Sequence, residues 1–239
     1  MPSQIDYPGL GTVVIMTHPA ARRFVARWKQ GAVRLTVPPG SSLKEIYRAL
    51  AELAPRLIKS RPAAGSLLLP GTVIEQPGMR VRILDNPADG SASLRTSAAL
   101  SGDRYEIDIF VGAGIDRSSD SYAPFVSRAV VNVAGKIAPR VLIPFARSVA
   151  GRVGDSPLSW RIGSGMRILG TCSAGRIITL SRALMFLPAD LRESIVCHEL
   201  AHLREMNHGP RFHAILESYF PGHLEARRRL LSFDWPILR

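Results

Sequence analysis

Cysteine is almost missing from this chain: its 239 residues hold two, Cys172 and Cys197, and no C-x-x-C pair. That excludes a disulfide-stapled scaffold and makes a reducing cytoplasm the expected compartment. No run of 18 apolar residues occurs, so neither a membrane-spanning helix nor a membrane partner is expected. Residues 1–11 lack the basic-then-apolar order of a secretion signal. Lysine is scarce, standing only at Lys29, Lys44, Lys59 and Lys136, and acidic residues are few, 19 against 31 Lys and Arg. The resulting charge of +12 allows a nucleic-acid or other polyanionic partner, but no basic–aromatic module supports one. A phosphate-cradling G-x-x-x-x-G-K-S/T loop is absent too.

What is present is an ordinary globular composition, 46% hydrophobic and 21% charged, with enough length for a sizeable core. Residues 13–37 read largely as strand; Phe24, Ala26 and Trp28, then Val33, Leu35 and Val37 after Gln30-Gly31, alternate with their neighbours, which predicts an antiparallel hairpin with one mostly basic face. Ser42 and Glu45 form a capping box ahead of Leu43, Ile46, Tyr47, Leu50 and Leu53 at helical spacing. Pro55 is expected to end or kink that helix. Short strands are expected at 67–69, 72–74, 79–84 and 105–109. The Ser-, Ala- and Gly-rich stretch 86–103 has no period and is expected to be a loop or insertion. From about Ala123 to Val153 the pattern is helical, and Pro139 and Pro144 predict two helices there rather than one. A short strand follows at 176–180, whose edge could bind an extended peptide.

The chemistry concentrates in one stretch. Residues 198–202 read His-Glu-Leu-Ala-His, and four of the six histidines fall between His198 and His213. On a helix, His198 and His202 lie one turn apart on one face and can reach a single metal ion, with Glu199 beside its open position. Asp190 with Glu193 predicts the helix start, and Asn207, Gly209 and Pro210 its end, so a helix over 191–206 is expected. Spaced at 100° steps, His198, Glu199 and His202 all fall within the apolar arc, where a carboxylate is costly without compensation. A bound metal would compensate it; so would an ion pair with Arg192. The third ligand is open on spacing alone: His208, His213, His223, Glu205 and Glu217 are all within reach. The longer pattern H-E-x-x-H-x-x-G-x-x-H is broken by Glu205 at its glycine.

Residues 198–208, His-Glu-Leu-Ala-His-Leu-Arg-Glu-Met-Asn-His, followed by Arg211-Phe212, resemble the YgjP-like metallopeptidases, relatives of SprT-like and WLM zinc proteases. Gly170-Thr171-Cys172-Ser173, then Gly175-Arg176-Ile177, is similar to another segment of that family, as is Val37-Pro38 before a helix. Leu169, Thr171 and His213 differ from the residues usual there. The resemblance implies zinc held by His198, His202 and His208, with Glu199 as catalytic base, acting on a peptide or protein. Rival expectations are hydrolysis of nucleotide phosphoanhydrides and a nucleic-acid-associated module. The expected fold is α+β: a β-rich N-terminal half with one packed helix over 1–115, then a mostly helical zincin-like half over 116–239.

Overall fold

The structure, a computed structural model, describes residues 3–29, 32–59, 68–119 and 121–237. They form two compact units: the described residues up to Lys59 with Ser118 and Ser119, and the rest from Leu68 onward. The residue-115 division read from the sequence falls inside the second unit. Mixed sheets and helices make the fold α+β.

The first unit is a sheet of β1 (Gln4–Tyr7), β2 (Gly11–Thr17), β3 (Val25–Lys29) and β4 (Ala32–Val37), in the order β1-β2-β4-β3, with α1 (Leu43–Lys59) packed on it. The expected hairpin is β3 with β4, antiparallel from Val25 opposite Thr36 to Lys29 opposite Ala32; its Gln30-Gly31 turn lies outside the described residues. Val13, Ile15, Val33, Leu35 and Val37 point inward and bury against Ile46, Leu50 and Leu57 of α1. The capping box forms: Glu45 accepts from the Ser42 amide at 2.7 Å, and its own amide donates to Ser42 Oγ at 3.3 Å. That amide bond, aided by the Ser42 hydroxyl, holds the Glu45 carboxyl below its usual range. Pro55 does not end α1. Ile46, Ala49, Leu50, Ala54 and Leu57 keep one buried stripe in register across it, and Pro55 itself is exposed. The carbonyl of Leu57 accepts from Trp28 Nε1 at 2.7 Å, tying the end of α1 to β3.

The second unit opens with the same topology: β5 (Val73–Gln76), β6 (Met79–Asn86), β7 (Leu94–Ser101) and β8 (Arg104–Gly112) in the order β5-β6-β8-β7, followed by α2 (Tyr122–Val153). In both sheets the middle pair is parallel and the outer pairs antiparallel. Two expectations are corrected here. Residues 94–101, inside the supposed loop, form β7, paired along β8 from Leu94 opposite Val111 to Ser101 opposite Arg104. β7 is an edge strand exposed on both faces, so it carries no alternation, and only the two-residue Gly102-Asp103 turn marks it. Nor do Leu68 and Leu69 form a strand; Leu68 is buried and its carbonyl accepts from the Tyr122 hydroxyl at 3.0 Å.

α2 is a single helix of 32 residues with both prolines inside it. Pro139 and Pro144 are exposed, where the carbonyls they strand can be hydrated, while Val126, Val130, Ala134, Ile137, Leu142, Ala146 and Val149 maintain one buried stripe past them. α2 is long and apolar enough to cross a membrane by length and composition alone, but its stripe is packed in one core with Met79, Val81, Ile83, Ile107 and Ile109 of the sheet.

The same core continues into the remaining elements: β9 (Ser159–Gly163), β10 (Gly170–Cys172), β11 (Ile177–Ser181), a 3-10 helix over Arg182–Phe186, α3 (Ala189–Ala201), α4 (Pro210–Tyr219) and α5 (His223–Leu231). β11 lies between β9, parallel to it, and β10, antiparallel.

Candidate metal centre

α3 is a central helix. Leu191, Arg192, Val196, Cys197, Leu200 and Ala201 are all buried, and the face opposite the apolar arc, which includes Ser194, Cys197 and Ala201, is largely covered as well. Its start also differs from expectation: Pro188 is the N-cap, and no side chain caps it. Asp190 pairs instead with Arg229 of α5, and Glu193 with Arg152 of α2. Arg192, 1% exposed, does not pair with Glu199. Its guanidinium donates to the carbonyls of Leu184 and Pro77 at 3.1 Å, Leu187 at 3.3 Å and Met185 at 3.4 Å. Burial lowers its pKa to about 10.

The helix ends five residues sooner than the spacing predicts, at Ala201 with His202 as C-cap, and the chain turns at once. Leu203 and Arg204 close that turn onto the carbonyls of Leu200 and Ala201. Two neighbours brace it. Arg176, held at φ +57 in the turn between β10 and β11, donates to the Leu203 carbonyl at 3.4 Å and to Ser156 at 2.9 Å. Arg204 reaches Asp155 at 3.0 Å. The early turn swings His208 back over α3, and Pro210 then starts α4 as its first residue.

Three imidazoles converge as a result. The ligand atoms of His198, His202 and His208 lie within 4.8 Å of one another, and the Nε2 atoms of His198 and His208 are 3.1 Å apart. Two nitrogens bound to one tetrahedral zinc at about 2.0–2.1 Å stand roughly 3.3 Å apart, so the spacing suits a single ion. His202 Nδ1 lies 3.1 Å from the Glu205 carbonyl, an acceptor that fixes the proton on Nδ1 and leaves Nε2 free to ligate. Burial first, then the neighbouring imidazoles of His202 and His208, pushes the pKa of His198 down to about 4; burial lowers that of His202 as well. Both rings are thus in the neutral form a metal needs. Phe212 packs against all three, with ring centroids 4.6–5.0 Å away.

Glu199 is 5% exposed and has no hydrogen-bond partner among the described residues. Burial raises its pKa from 4.5 to about 7. It lies against β10 at a place only glycine allows: a Cβ on Gly170 would stand 2.6 Å from its Oε1 and 2.7 Å from its Cγ. Sequence reasoning had no means of seeing that approach. The peptide edge moves accordingly: β11 is flanked on both sides, so the strand edge nearest Glu199 belongs to β10.

The other candidate ligands are placed elsewhere. His213 and His223 face each other, Nδ1 to Nε2 at 3.4 Å, and His223 Nδ1 lies 2.6 Å from Glu217. Glu217 also accepts from the Gly222 amide at 3.2 Å, pinning the start of α5. Glu205 lies across the turn, accepting from the Asn207 amide at 3.1 Å. His213, His223 and Arg227 line the same cavity as His198 and Glu199, of about 540 Å³, whose other walls are chiefly leucine and isoleucine. Arg227 differs from its neighbours in the arginine run: Arg228 pairs with Glu225 and Arg229 with Asp190. Neither cysteine offers a thiolate, since burial raises the pKa of both, that of Cys197 to about 12.

The model of the YgjP-like metallopeptidase domain matches residues 22–233. No curated protein matches the sequence. Among solved structures, the metallopeptidase zymogen of Pyrococcus abyssi abylysin aligns at 23% identity and a TM-score of 0.36, covering 41% of this chain and 100% of that one.

Proposed function

This chain belongs to the YgjP-like metallopeptidase family, a family of metal-dependent peptidases, and we propose that its metal is zinc, held by His198, His202 and His208, with Glu199 as the catalytic base. The observation that carries this reading is the convergence of the imidazoles of His198, His202 and His208 within 4.8 Å beside the buried carboxylate of Glu199, which has no hydrogen-bond partner among the described residues. An all-imidazole set suits zinc among the common divalent ions. Zinc bound there would supply Lewis acidity and lower the pKa of a water toward about 7.

The chain's own residues supply the rest. Glu199 takes the proton from the attacking water and returns it to the leaving amine. In the metal-free protein burial raises the pKa of this carboxyl, which makes it a stronger base than an exposed carboxylate. Gly170 sets the carboxylate's position, and the Glu205 carbonyl sets the ring of His202. The free edge of β10 offers backbone groups to an extended peptide, whose side chain beside the cleaved bond enters the cavity between Ile195, Leu216 and Leu224. The two free thiols fit a reducing compartment, and we place the protein in the cytoplasm.

The test is metal analysis joined to hydrolysis of an unfolded protein and of a nucleotide panel, for the wild type and Glu199→Gln. The expected outcome is about one zinc per chain in both proteins and peptide cleavage only in the wild type. Zinc absent from chelator-free protein, or cleavage of nucleotides with none of peptides, would overturn the proposal.

A further inference from the structure

The polar side chains of the cavity beside the metal trio are nearly all engaged. His198, His208 and Glu199 belong to the trio and its base. The Ser194 hydroxyl donates back to the Leu191 carbonyl of its own helix at 2.8 Å. His213 and His223 face each other, and His223 is held by Glu217. Arg227 is the exception: it lines the cavity and has no hydrogen bond or ion pair among the described residues.

Its place on α5 differs from that of a solvated arginine. His223, Arg227 and Leu230 recur about one turn apart, and all three line the cavity. The next two arginines fall outside that stripe, where Arg228 pairs with Glu225 at 2.9 Å and Arg229 with Asp190. Glu217 is taken by His223 and by the Gly222 amide. Apart from Glu199, no acidic side chain lines the cavity among the described residues. Arg227 is itself exposed, so its donors are open to a group entering from solvent. Its charge also reaches the metal trio: after burial and the imidazoles of His202 and His208, Arg227 is among the causes that oppose protonation of His198.

A guanidinium carries five N–H donors in one plane and accepts nothing. The partner that matches its fork is a carboxylate, taken by two parallel bonds. Beside apolar walls such a pair is screened less than at a free surface. The leucines and isoleucines of the cavity can receive the apolar stem that carries the carboxylate.

Building on the peptidase reading of the metal centre, we propose that Arg227 is a specificity-determining residue that takes a carboxylate of the bound peptide. What selects it is the placement of a guanidinium with no ion pair in the inward stripe of α5, in the cavity that also holds His198 and Glu199. The carboxylate is that of an aspartate or glutamate side chain or that of the peptide's own C-terminus, since both present the same pair of oxygens.

The first measurement needs no turnover. Fluorescence anisotropy follows labelled peptides binding to the full-length Glu199→Gln protein at about 150 mM salt, where attraction to the basic surface at large is screened beyond about 8 Å. The peptides carry glutamate or glutamine at one central position, each with a free or an amidated C-terminus. A charge-assisted, bidentate pair predicts a preference of about 10- to 100-fold for a carboxylate over its amide. Glutamate over glutamine identifies a side chain as the source, and a free over an amidated end identifies the terminus. Arg227→Gln is expected to bring the ratio to about 1, and Arg227→Glu to favour a lysine peptide instead. Arg228→Gln removes the same charge from the adjacent position and should leave the ratio as it was. Equal melting temperatures of the variants separate lost binding from lost folding. The second measurement is kcat/KM of the wild type on the same peptides, where the same ratio should recur. Binding preference with cleavage of no peptide would leave the role of Arg227 standing and defeat the peptidase reading. Cleavage without preference for either carboxylate, a preference that survives Arg227→Gln, an equal loss in Arg228→Gln, or no measurable binding of any carboxylate peptide would each overturn the proposal.

Discussion

Gly170 offers the sharpest handle on the candidate site, because the nearest atoms that an alanine there would meet all belong to Glu199. Gly170 lies in β10 with no positive φ, so a methyl group costs the strand nothing by itself. The obstacle is the carboxylate. The added Cβ would meet Oε1 at 2.6 Å, Cγ at 2.7 Å and Cδ at 2.8 Å, all well inside the 3.4 Å at which ordinary contact begins. Rotation of the carboxylate alone does not relieve a clash that includes Cγ, and Glu199 is 5% exposed with little room to swing. The group therefore has to move by about 0.6–0.8 Å as a whole, or β10 has to retreat from α3 by that much. A displacement of about 1 Å in a catalytic group costs about 100-fold in rate, so Gly170→Ala is expected to lose about 30- to 100-fold in kcat/KM while keeping its zinc. Overpacking of this kind also costs about 1–3 kcal/mol of stability, visible in urea unfolding. A cycle with Glu199→Gln isolates the cause: if the methyl acts through Glu199, the double variant is no slower than Glu199→Gln alone. Full activity in Gly170→Ala, or a loss that is independent of the residue at 199, would refute the reasoning.

Further outcomes follow from the same geometry. His208→Ala should lose zinc by metal analysis, whereas His213→Ala should keep it, because His213 is turned to His223 and not into the trio; the reverse result would reassign the third ligand. Pro144→Ala should leave the helix content of α2 unchanged by circular dichroism and raise stability by up to about 1–2 kcal/mol, since the proline sits exposed inside a continuous helix where alanine is favoured. A fall in stability would mean that the proline shapes the helix instead of being tolerated by it.

How much of this was legible in the sequence depends on whether a signal is local. The capping box of α1 and the alternation of β3 and β4 are local, and both form as read. The trio around His198 was legible for the same reason: residues ten apart, brought together by one helix and one turn. Errors arose where tertiary packing outweighs a local rule. Pro55, Pro139 and Pro144 are helix breakers by propensity, yet each lies exposed on a helix whose buried stripe holds register past it, and that stripe decided the outcome. β7 has no alternation because neither of its faces is buried. α3 ends early where Arg176 and Asp155, remote in sequence, hold the turn after His202 through the Leu203 carbonyl and the Arg204 guanidinium, and no helical spacing records that. Gly170 was visible only as part of a family-like segment; its reason, the carboxylate lying against it, is a contact across 29 positions of chain.

Arg192 and Glu199, two turns apart on one buried helix, show how structural and chemical charges differ in a single fold. Arg192 is satisfied by four backbone carbonyls, so its burial holds the 3-10 helix and the β5–β6 turn in place. Replacing it by methionine strands those acceptors and is expected to cost about 3 kcal/mol or more in urea unfolding. Glu199 is buried too, and it has no hydrogen-bond partner among the described residues. Its carboxyl is raised from 4.5 to about 7, so the folded state binds that proton more tightly than the unfolded chain does. Folding is then unpenalised below about pH 4.5, and stability drains away as pH rises from there to about 7, beyond which the full penalty, about 3 kcal/mol, persists. Glu199→Gln in chelator-treated protein should therefore be more stable than the parent at pH 8 by about that amount and nearly equal to it at pH 4. Equal stability of the two proteins at both pH values would mean that the carboxylate is compensated within the fold. A gain confined to the higher pH is what a side chain kept for chemistry at the expense of stability should give, and Arg192, which is fully paired, should give no such gain at either pH.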